Sequence, residues 1–291
     1  MRFSIIIPTY NRSAILRETL MSVLAQTFED YEILVVDDGS SDDTQGVVQQ
    51  IASDKIRYFY KNNEERSIAR NYGADRASGD YLIFLDSDDK MKDDHLVSIA
   101  SYIDQAGDPG FIFAGYQILN TDHTPLYSYG INGFFDNRKL VYGNFLGCSS
   151  VIVKNALFKR YYFNTDARLI LFEDWELWLR IIADNRLHCF PGKSIVMVNH
   201  GGRSVLNYDP KQFSEKVMHF KGVALASNSL IRDSWINRRV FCSGIYSYAA
   251  LHIAMTKKDR VLAFKYLLVS LWQNPLFVLK RRFLAIIKHL F

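Results

Sequence analysis

The sequence predicts an α/β protein: a mostly parallel sheet covered by helices on both faces, followed by a region of helices alone. Three observations carry this. Short apolar runs without polar alternation recur through the first 85 residues, as strands buried on both faces require. Segments with apolar residues at helical spacing separate them. After about Tyr208 the strand-like runs cease and only helical periodicity remains.

The elements follow in order. Phe3-Ser4-Ile5-Ile6-Ile7, ended by Pro8, reads as the first buried strand. Ser13 stands where a helix cap is wanted, and Leu16, Leu20, Val23 and Leu24 keep helical spacing behind it. Residues 32–36 form a second strand, closed by Asp37-Asp38-Gly39-Ser40, and Val47, Val48 and Ile51 share one face of the next helix. Residues 56–60 and 81–85 read as strands, with a helix over 68–77 between them. Ligands of such sheets bind beyond the strand C-termini, and the polar clusters after Ile7, Val36 and Leu85 all fall at that edge. From 111 to 199 the pattern is α+β, with one clear helix at 174–183. Helices over 213–231, 235–255 and 260–271 come next, then a break at Asn274-Pro275 and a final helix. No internal repeat or low-complexity segment interrupts them.

Composition bounds the class. A hydrophobic fraction of 48% and a charged fraction of 23% are those of a globular chain with a packed core, which excludes disorder over most of the length. Cys148, Cys189 and Cys242 lack CxxC spacing, so neither a zinc site nor a disulfide framework is expected, and a reducing compartment suits them. Met1 to Pro8 enters a strand at once, without the pattern of a signal peptide.

Charge is unevenly placed. Residues 257–291 hold eight Lys and Arg against one Asp, a balance of +7, so the rest of this +4 chain is mildly acidic at −3. Apolar groups there alternate with Lys265, Lys280, Arg281, Arg282 and Lys288, and no run reaches the roughly 18 to 20 apolar residues of a membrane span. The pattern suits helices lying on an anionic membrane surface, where each basic residue contributes about 1 kcal/mol. The alternative is a helical subdomain packed on the core or on a second copy of the chain. No recognised module accompanies the charge, so no nucleic acid is expected as a partner.

Four clusters have chemical content. Asp86-Ser87-Asp88-Asp89 puts three carboxylates within four residues at a strand end. Burying them needs a counter-charge, which Mg²⁺ or Mn²⁺ supplies when one or two carboxylates and substrate phosphates share it. Such an ion neutralises a phosphate leaving group. The plain alternative is a solvated loop capping a helix near Asp93. Asp37-Asp38-Gly39-Ser40 offers an acceptor for a pyrimidine N–H and a glycine that admits close approach, or simply a turn into a helix capped by Ser40 or Ser41. In Pro8-Thr9-Tyr10-Asn11-Arg12 the tyrosine can stack on a base and the arginine can meet phosphate, with Arg70 as a further cation. Read blandly, these are a loop and an exposed helical arginine. Glu173-Asp174 precedes a helix rich in Trp and Leu. Acids in a first turn favour the helix dipole, and this is the simpler explanation when the pair is taken alone. Alternatively Asp174 is a general base at an acceptor hydroxyl that Trp175 helps position, worth about 10²–10⁴ in rate.

Taken together, five blocks resemble, in order, the signatures of family 2 glycosyltransferases over about the first 200 residues. They are Ser4-Ile5-Ile6-Ile7-Pro8-Thr9-Tyr10-Asn11-Arg12, Val35-Val36-Asp37-Asp38-Gly39-Ser40-Ser41-Asp42-Asp43-Thr44, Ala69-Arg70-Asn71-Tyr72-Gly73, Gly79-Asp80-Tyr81-Leu82-Ile83-Phe84-Leu85-Asp86-Ser87-Asp88-Asp89 and Glu173-Asp174-Trp175. The resemblance implies a Rossmann-like GT-A fold and an inverting single displacement. It implies a catalytic domain over 1–207, with a nucleotide-sugar half to about 110 and an acceptor half from 111, followed by the basic helical region 208–291.

By matching position, Tyr10 and Asp38 recognise the base, and Pro8, Thr9, Arg12 and Ser87 lie along the nucleotide sugar. Arg70 lies near the diphosphate. Asp86 and Asp88 form a DxD motif for Mn²⁺ or Mg²⁺, with Asp88 the direct ligand, and Asp174 is the base, flanked by Glu173 and Trp175 on the acceptor side. His200 is a further candidate at the metal or phosphate, beside Arg203. The implied donor is a nucleotide-diphosphate sugar, UDP favoured, and the acceptor a glycan or lipid-linked hydroxyl in bacterial surface polysaccharide synthesis. The expected location is the cytoplasmic face of the cell membrane, held peripherally. Two other classes compete: a nucleotidyltransferase of similar fold, which lacks its glycine-rich phosphate loop and leaves Glu173-Asp174 idle, and a non-catalytic nucleotide-sugar scaffold, which leaves both acidic motifs without purpose.

Overall fold

The computed structural model describes residues 1–133, 135–199 and 209–291, so His200 and Arg203 lie outside the described residues. The chain divides into two compact units that do not follow a single cut near residue 207. The first gathers Met1–Phe135, Leu146–Thr165 and the stretch from Asn185 to Asn199. The second takes Asp136–Phe145, Asp166–Asp184 and the helices from Pro210 onward.

In the first unit the order is β1 (Phe3–Thr9), α1 (Ser13–Leu24), β2 (Tyr31–Asp37), α2 (Thr44–Ile51), β3 (Ile56–Tyr60), α3 (Arg66–Arg76), β4 (Tyr81–Phe84), β5 (Asp89–Met91), α4 (His95–Gln105), β6 (Phe111–Asn120), β7 (Pro125–Tyr129), β8 (Val151–Lys154) and α5 (Asn155–Phe158). The unit closes with β9 (His188–Asn199). Among the described residues these strands form one sheet in the order β3-β2-β1-β4-β8-β6-β9-β5, with β7 on β6. β1 pairs in parallel with β2 and with β4, Ile5 lying opposite Ile33 on one side and Ile83 on the other.

Every residue of β1, β2 and β4 is buried, which is why their sequences do not alternate. One face takes Phe3, Ile5 and Ile7 into a cluster with Leu16, Leu20 and Val23 of α1 and Leu96, Ile99 and Ile103 of α4. The other face receives α3 through Gly73, where a Cβ would stand 2.5 Å from Ile6 Cγ2. Only glycine lets that helix approach β1 so closely.

Local starts and stops differ from expectation. Ser13 is the first residue of α1, not its cap, and its free N–H donates to the Asp42 carboxylate at 2.9 Å. Ser40 and Ser41 do not cap α2, which begins at Thr44; they bond to Asn11 instead. The acidic run does stop β4, which ends at Phe84, but its last residue, Asp89, opens a further strand, β5, which pairs antiparallel with β9.

The second unit is built on α6 (Glu173–Asp184), α7 (Pro210–Ser227), α8 (Ser229–Arg232), α9 (Trp235–Thr256), α10 (Arg260–Gln273) and α11 (Arg281–Leu290). Its core joins Phe172, Trp175 and Phe220 to Phe241 of α9. Side-chain caps start four of these helices: Asp209, Asn228, Ser234 and Asp259 each accept a first-turn N–H. The single helix expected over 213–231 is two. The break is Asn228, buried, whose amide donates to the Leu179 carbonyl while its oxygen accepts from Ile231 N–H. Among the described residues no helix is long and apolar enough to cross a membrane.

Candidate active site

Three strands of the first unit release the chain at one edge of the sheet, and the loops there are stitched together. Asp38 N–H donates to the Thr9 carbonyl at 2.8 Å, joining the ends of β1 and β2. Asn11, at φ 52°, donates its N–H to Ser40 Oγ and accepts from Ser41 N–H, both at 2.8 Å. Gly39 takes φ 86°, and a Cβ there would meet Asn63 N at 2.8 Å, so the turn demands glycine. Tyr10 follows β1 with 49% of its surface exposed, its ring open to stacking. Thr9 is buried, and its hydroxyl has no hydrogen-bond partner among the described residues. A buried orphan hydroxyl at a ligand edge suits a bound polar group.

Asp38 is more occupied than its expected role suggests. Its carboxylate accepts from Lys61 Nζ at 2.6 Å, Glu64 N at 3.1 Å and Glu65 N at 2.9 Å. Of about four lone-pair positions, roughly one remains for a base. Burial alone would lower the Lys61 pKa, but its bonds to Asp38 and Glu64 outweigh that and hold it above the ordinary value. Asp38 therefore anchors the 61–65 loop as well as standing at the site.

The Asp86–Asp89 turn follows β4 and is fixed from three sides. Ser149, fully buried, accepts from Asp86 N–H at 3.0 Å and donates to Asp89 Oδ2 at 2.6 Å. Asp89 N–H closes on the Asp86 carbonyl at 3.0 Å, and Thr19 Oγ1 donates to the Ser87 carbonyl at 2.9 Å. Ser87 and Asp89 are buried, while Asp86 and Asp88 stay partly exposed. Arg70 is not an exposed helical arginine: only 2% of its side chain is accessible, and Nη2 pairs with Asp86 Oδ1 at 2.7 Å. Its guanidinium lies over the Phe163 ring at 5.2 Å, and Asn71 grips both backbone groups of Phe163 at 2.9 and 3.0 Å.

Among the described residues no three His, Cys, Asp or Glu side chains gather into a ready cation cage. Two partly exposed carboxylates nonetheless fit a hard ion that takes its other oxygens from phosphate and water.

In the second unit, α6 starts on the predicted acidic pair. Glu173 is buried and its carboxylate accepts from Leu171 N–H at 2.7 Å, supporting a backbone at φ 87°. Asp174 Oδ1 accepts from Trp175 N–H at 2.6 Å and Oδ2 from Asn144 Nδ2 at 3.1 Å. Trp175 is buried between Phe220 and Phe241, its indole N–H on the Leu140 carbonyl at 2.9 Å. Glu173 and Trp175 thus build the platform, and Asp174 alone of the three keeps partial exposure.

Pro8, Thr9, Tyr10, Arg12, Asp38, Arg70, Asp86, Ser87 and Asp88 belong to the first unit, and Glu173, Asp174 and Trp175 to the second. Sequence reading missed Ser149, Lys61, Asn71 and Asn144. Asn71 lies within the Ala69-Arg70-Asn71-Tyr72-Gly73 block, whereas nothing in Cys148-Ser149-Ser150 marks the middle serine.

The profile of glycosyl transferase family 2 matches residues 4–166, more than half of the chain. A Rickettsia felis protein described as an uncharacterized glycosyltransferase is 29% identical over 266 residues, covering 89% of this chain and 43% of the relative. This chain thus spans less than half of that protein. The UDP-Glc:alpha-D-GlcNAc-diphosphoundecaprenol beta-1,3-glucosyltransferase WfgD of Escherichia coli is 30% identical over 190 residues, 63% of this chain and 71% of WfgD. The structure of S. aureus TarS 1–349 in complex with UDP-GlcNAc superposes with a TM-score of 0.61 at 19% identity, over 94% of this chain and 92% of that one. That likeness shows the fold, which is GT-A. The chain belongs to glycosyl transferase family 2.

Proposed function

We propose that this chain transfers a sugar, with inversion, from a UDP-sugar to a hydroxyl of a lipid-linked or glycan acceptor in surface polysaccharide synthesis. The observation that carries the reading is the Asp86–Asp88 turn, pinned by Ser149 and Thr19 at the ligand edge and paired with buried Arg70. WfgD, the relative whose acceptor is a sugar on diphosphoundecaprenol, supports the acceptor class.

Asp88 and Asp86 would hold Mn²⁺ or Mg²⁺, which supplies positive charge to a departing diphosphate. Tyr10 stacks on the base, and the Thr9 hydroxyl and the remaining acceptor position of Asp38 meet polar atoms of the nucleoside. Arg70 keeps Asp86 oriented through its 2.7 Å ion pair. In the second unit Asp174, steadied by Asn144, takes the proton from the acceptor hydroxyl. That oxygen attacks the anomeric carbon opposite the nucleotide, and the bond to the diphosphate breaks in the same displacement.

The helical unit supports a peripheral seat on the cytoplasmic membrane face. Trp235 and Trp272 are each 71% exposed, with Val261, Leu276, Leu279 and Leu284 also open, among Lys257, Lys258, Lys280 and Arg281. Aromatic and apolar groups interleaved with cations suit an anionic bilayer surface.

The test is to incubate the protein with Mn²⁺, a panel of nucleotide sugars and sugar-diphospholipid acceptors, and to follow nucleoside diphosphate release. UDP release that requires acceptor is expected. Pyrophosphate release from a nucleoside triphosphate would instead identify a nucleotidyltransferase, and no turnover with any pair would leave a binding scaffold.

A further inference from the structure

The helical unit holds a second polar cluster that the transfer chemistry above does not use. Arg281 and Arg282 open α11 side by side; Arg281 is exposed, while Arg282 turns inward and is only partly accessible. Its Nη1 makes two long contacts, to the Gly244 carbonyl at 3.4 Å and to Ser247 Oγ at 3.3 Å. Its Nη2 lies where a Cβ on Gly143 would stand 3.4 Å away. The next residue, Asn144, is the one that donates to Asp174. Among the described residues no carboxylate lies within ion-pair distance of Arg282.

Burial disfavours the charge on Arg282, but a guanidinium does not release its proton in a protein. A largely buried cation without a paired anion is unfavourable unless something else supplies the negative charge. Tyr248 of α9 stands within electrostatic reach of Arg282, Asp174 and Glu173. Among the described residues its hydroxyl has no hydrogen-bond partner. Its ring meets His252 at 4.1 Å, Phe172 at 5.7 Å and Phe213 at 6.1 Å, which holds it in place. Burial, with Arg282 adding to it, lowers the His252 pKa to about 4, so this imidazole is neutral near pH 7 and brings no competing cation. The cluster therefore presents one fixed cation and one free hydroxyl donor close to the proposed base.

We propose that Arg282 and the Tyr248 hydroxyl bind a phosphate group of the acceptor. The proposal rests on the acceptor reading above, in which Asp174 receives the attacking hydroxyl. A sugar held with one hydroxyl at Asp174 carries its anomeric phosphate on another side of the same ring, and Arg282 would receive it there. The acceptor class this selects is a sugar phosphate or diphosphate ester, not a neutral glycan.

A binding measurement separates this from the transfer reaction and from the donor's own phosphates. The full chain is saturated with UDP and Mg²⁺, then titrated calorimetrically with geranyl phosphate, with geraniol as the uncharged control. The wild type should bind geranyl phosphate and not geraniol. Arg282→Gln should weaken that binding by about tenfold or more, as loss of a charge-assisted contact does. Arg282→Lys should retain part of it, and Tyr248→Phe should weaken it about threefold to tenfold. UDP affinity should be unchanged in all three.

Absence of binding by the wild type, equal binding of geraniol, or equal affinity in Arg282→Gln would overturn the proposal. So would a parallel loss of UDP affinity, which would assign the cation to the donor. If Arg282→Gln does not fold, Tyr248→Phe decides: wild-type affinity there sinks the idea. A chain that transfers no sugar in the earlier assay but binds geranyl phosphate through Arg282 would refute the function and leave the site standing.

Discussion

Replacing Ser149 with alanine isolates the energetic weight of one hydroxyl at the Asp86–Asp89 turn. That hydroxyl, fully buried, accepts from Asp86 N–H at 3.0 Å and donates to the Asp89 carboxylate at 2.6 Å. A hydrogen bond to a charged group contributes about 1.5–3 kcal/mol and a neutral one about 1 kcal/mol, so Ser149→Ala should cost about 2–4 kcal/mol. Ser150 provides an internal reference. It is equally buried and makes one neutral bond, to the Gly147 carbonyl at 2.6 Å, so Ser150→Ala should cost about 1 kcal/mol. Urea unfolding followed by far-UV circular dichroism measures both; fluorescence would not serve, since all four tryptophans lie in the helical unit. Ser149→Ala should also weaken Mn²⁺-dependent UDP binding, and Ser150→Ala should not. Equal midpoints for the two variants would refute the energetic reasoning. Wild-type UDP affinity in Ser149→Ala would show that the turn keeps its shape without the bridge.

Asp174→Asn should keep UDP affinity and lose about 10²–10⁴ in transfer rate, the usual weight of a placed base; an unchanged rate removes that assignment. His95 is wholly buried, its Nδ1 2.6 Å from Ser194 Oγ, and burial lowers its pKa to about 4. Its neutral form stabilises the fold above the unfolded value of 6.5, and this is lost as pH falls from there towards 4. Stability should therefore drop by about 2 kcal/mol between pH 7 and pH 5 through this group alone. Urea titrations at the two pH values should show a shallower decline in His95→Leu, and an equal decline would exclude His95 as the source. For the membrane seat, Trp235→Ser with Trp272→Ser should cut co-sedimentation with anionic vesicles several-fold, since each exposed ring contributes about 1.5–3 kcal/mol when buried. Pelleting equal to wild type would remove the membrane reading. Truncation at Lys257 is a poorer test, because Ala263, Tyr266 and Leu267 of α10 belong to the buried core.

The parallel half of the sheet was legible because β1, β2 and β4 are buried on both faces, and such strands carry their signal in every residue. β5 was hidden inside the acidic run because its three residues, Asp89, Lys90 and Met91, are strand only through pairing with β9 more than a hundred positions away. Asn228 broke an expected helix for a similar reason: its amide satisfies Leu179, a partner that periodicity cannot reveal. Asp86, Asp88 and Asp174 stood out by their motif context. Their supports did not, since Ser149 and Asn144 are ordinary residues whose worth comes from where the fold delivers them. Arg70 is buried where helical position alone predicts exposure, and Trp175, expected beside an acceptor, lies in the core.

The Asp86–Asp88 turn has a further consequence through its place in the sheet. Four residues, Leu85 to Asp88, carry the chain from β4 in the fourth position of the strand order to β5 at the eighth. So short a tether cannot cross four strand spacings of about 4.8 Å on a flat surface while closing a tight turn, so the sheet must curl to bring its rim back towards its middle. The turn is thus the clasp of that curl. A cation captured there would steady β5, which opens at the turn's last residue, and through it the paired residues of β9, where slower amide exchange would report its arrival.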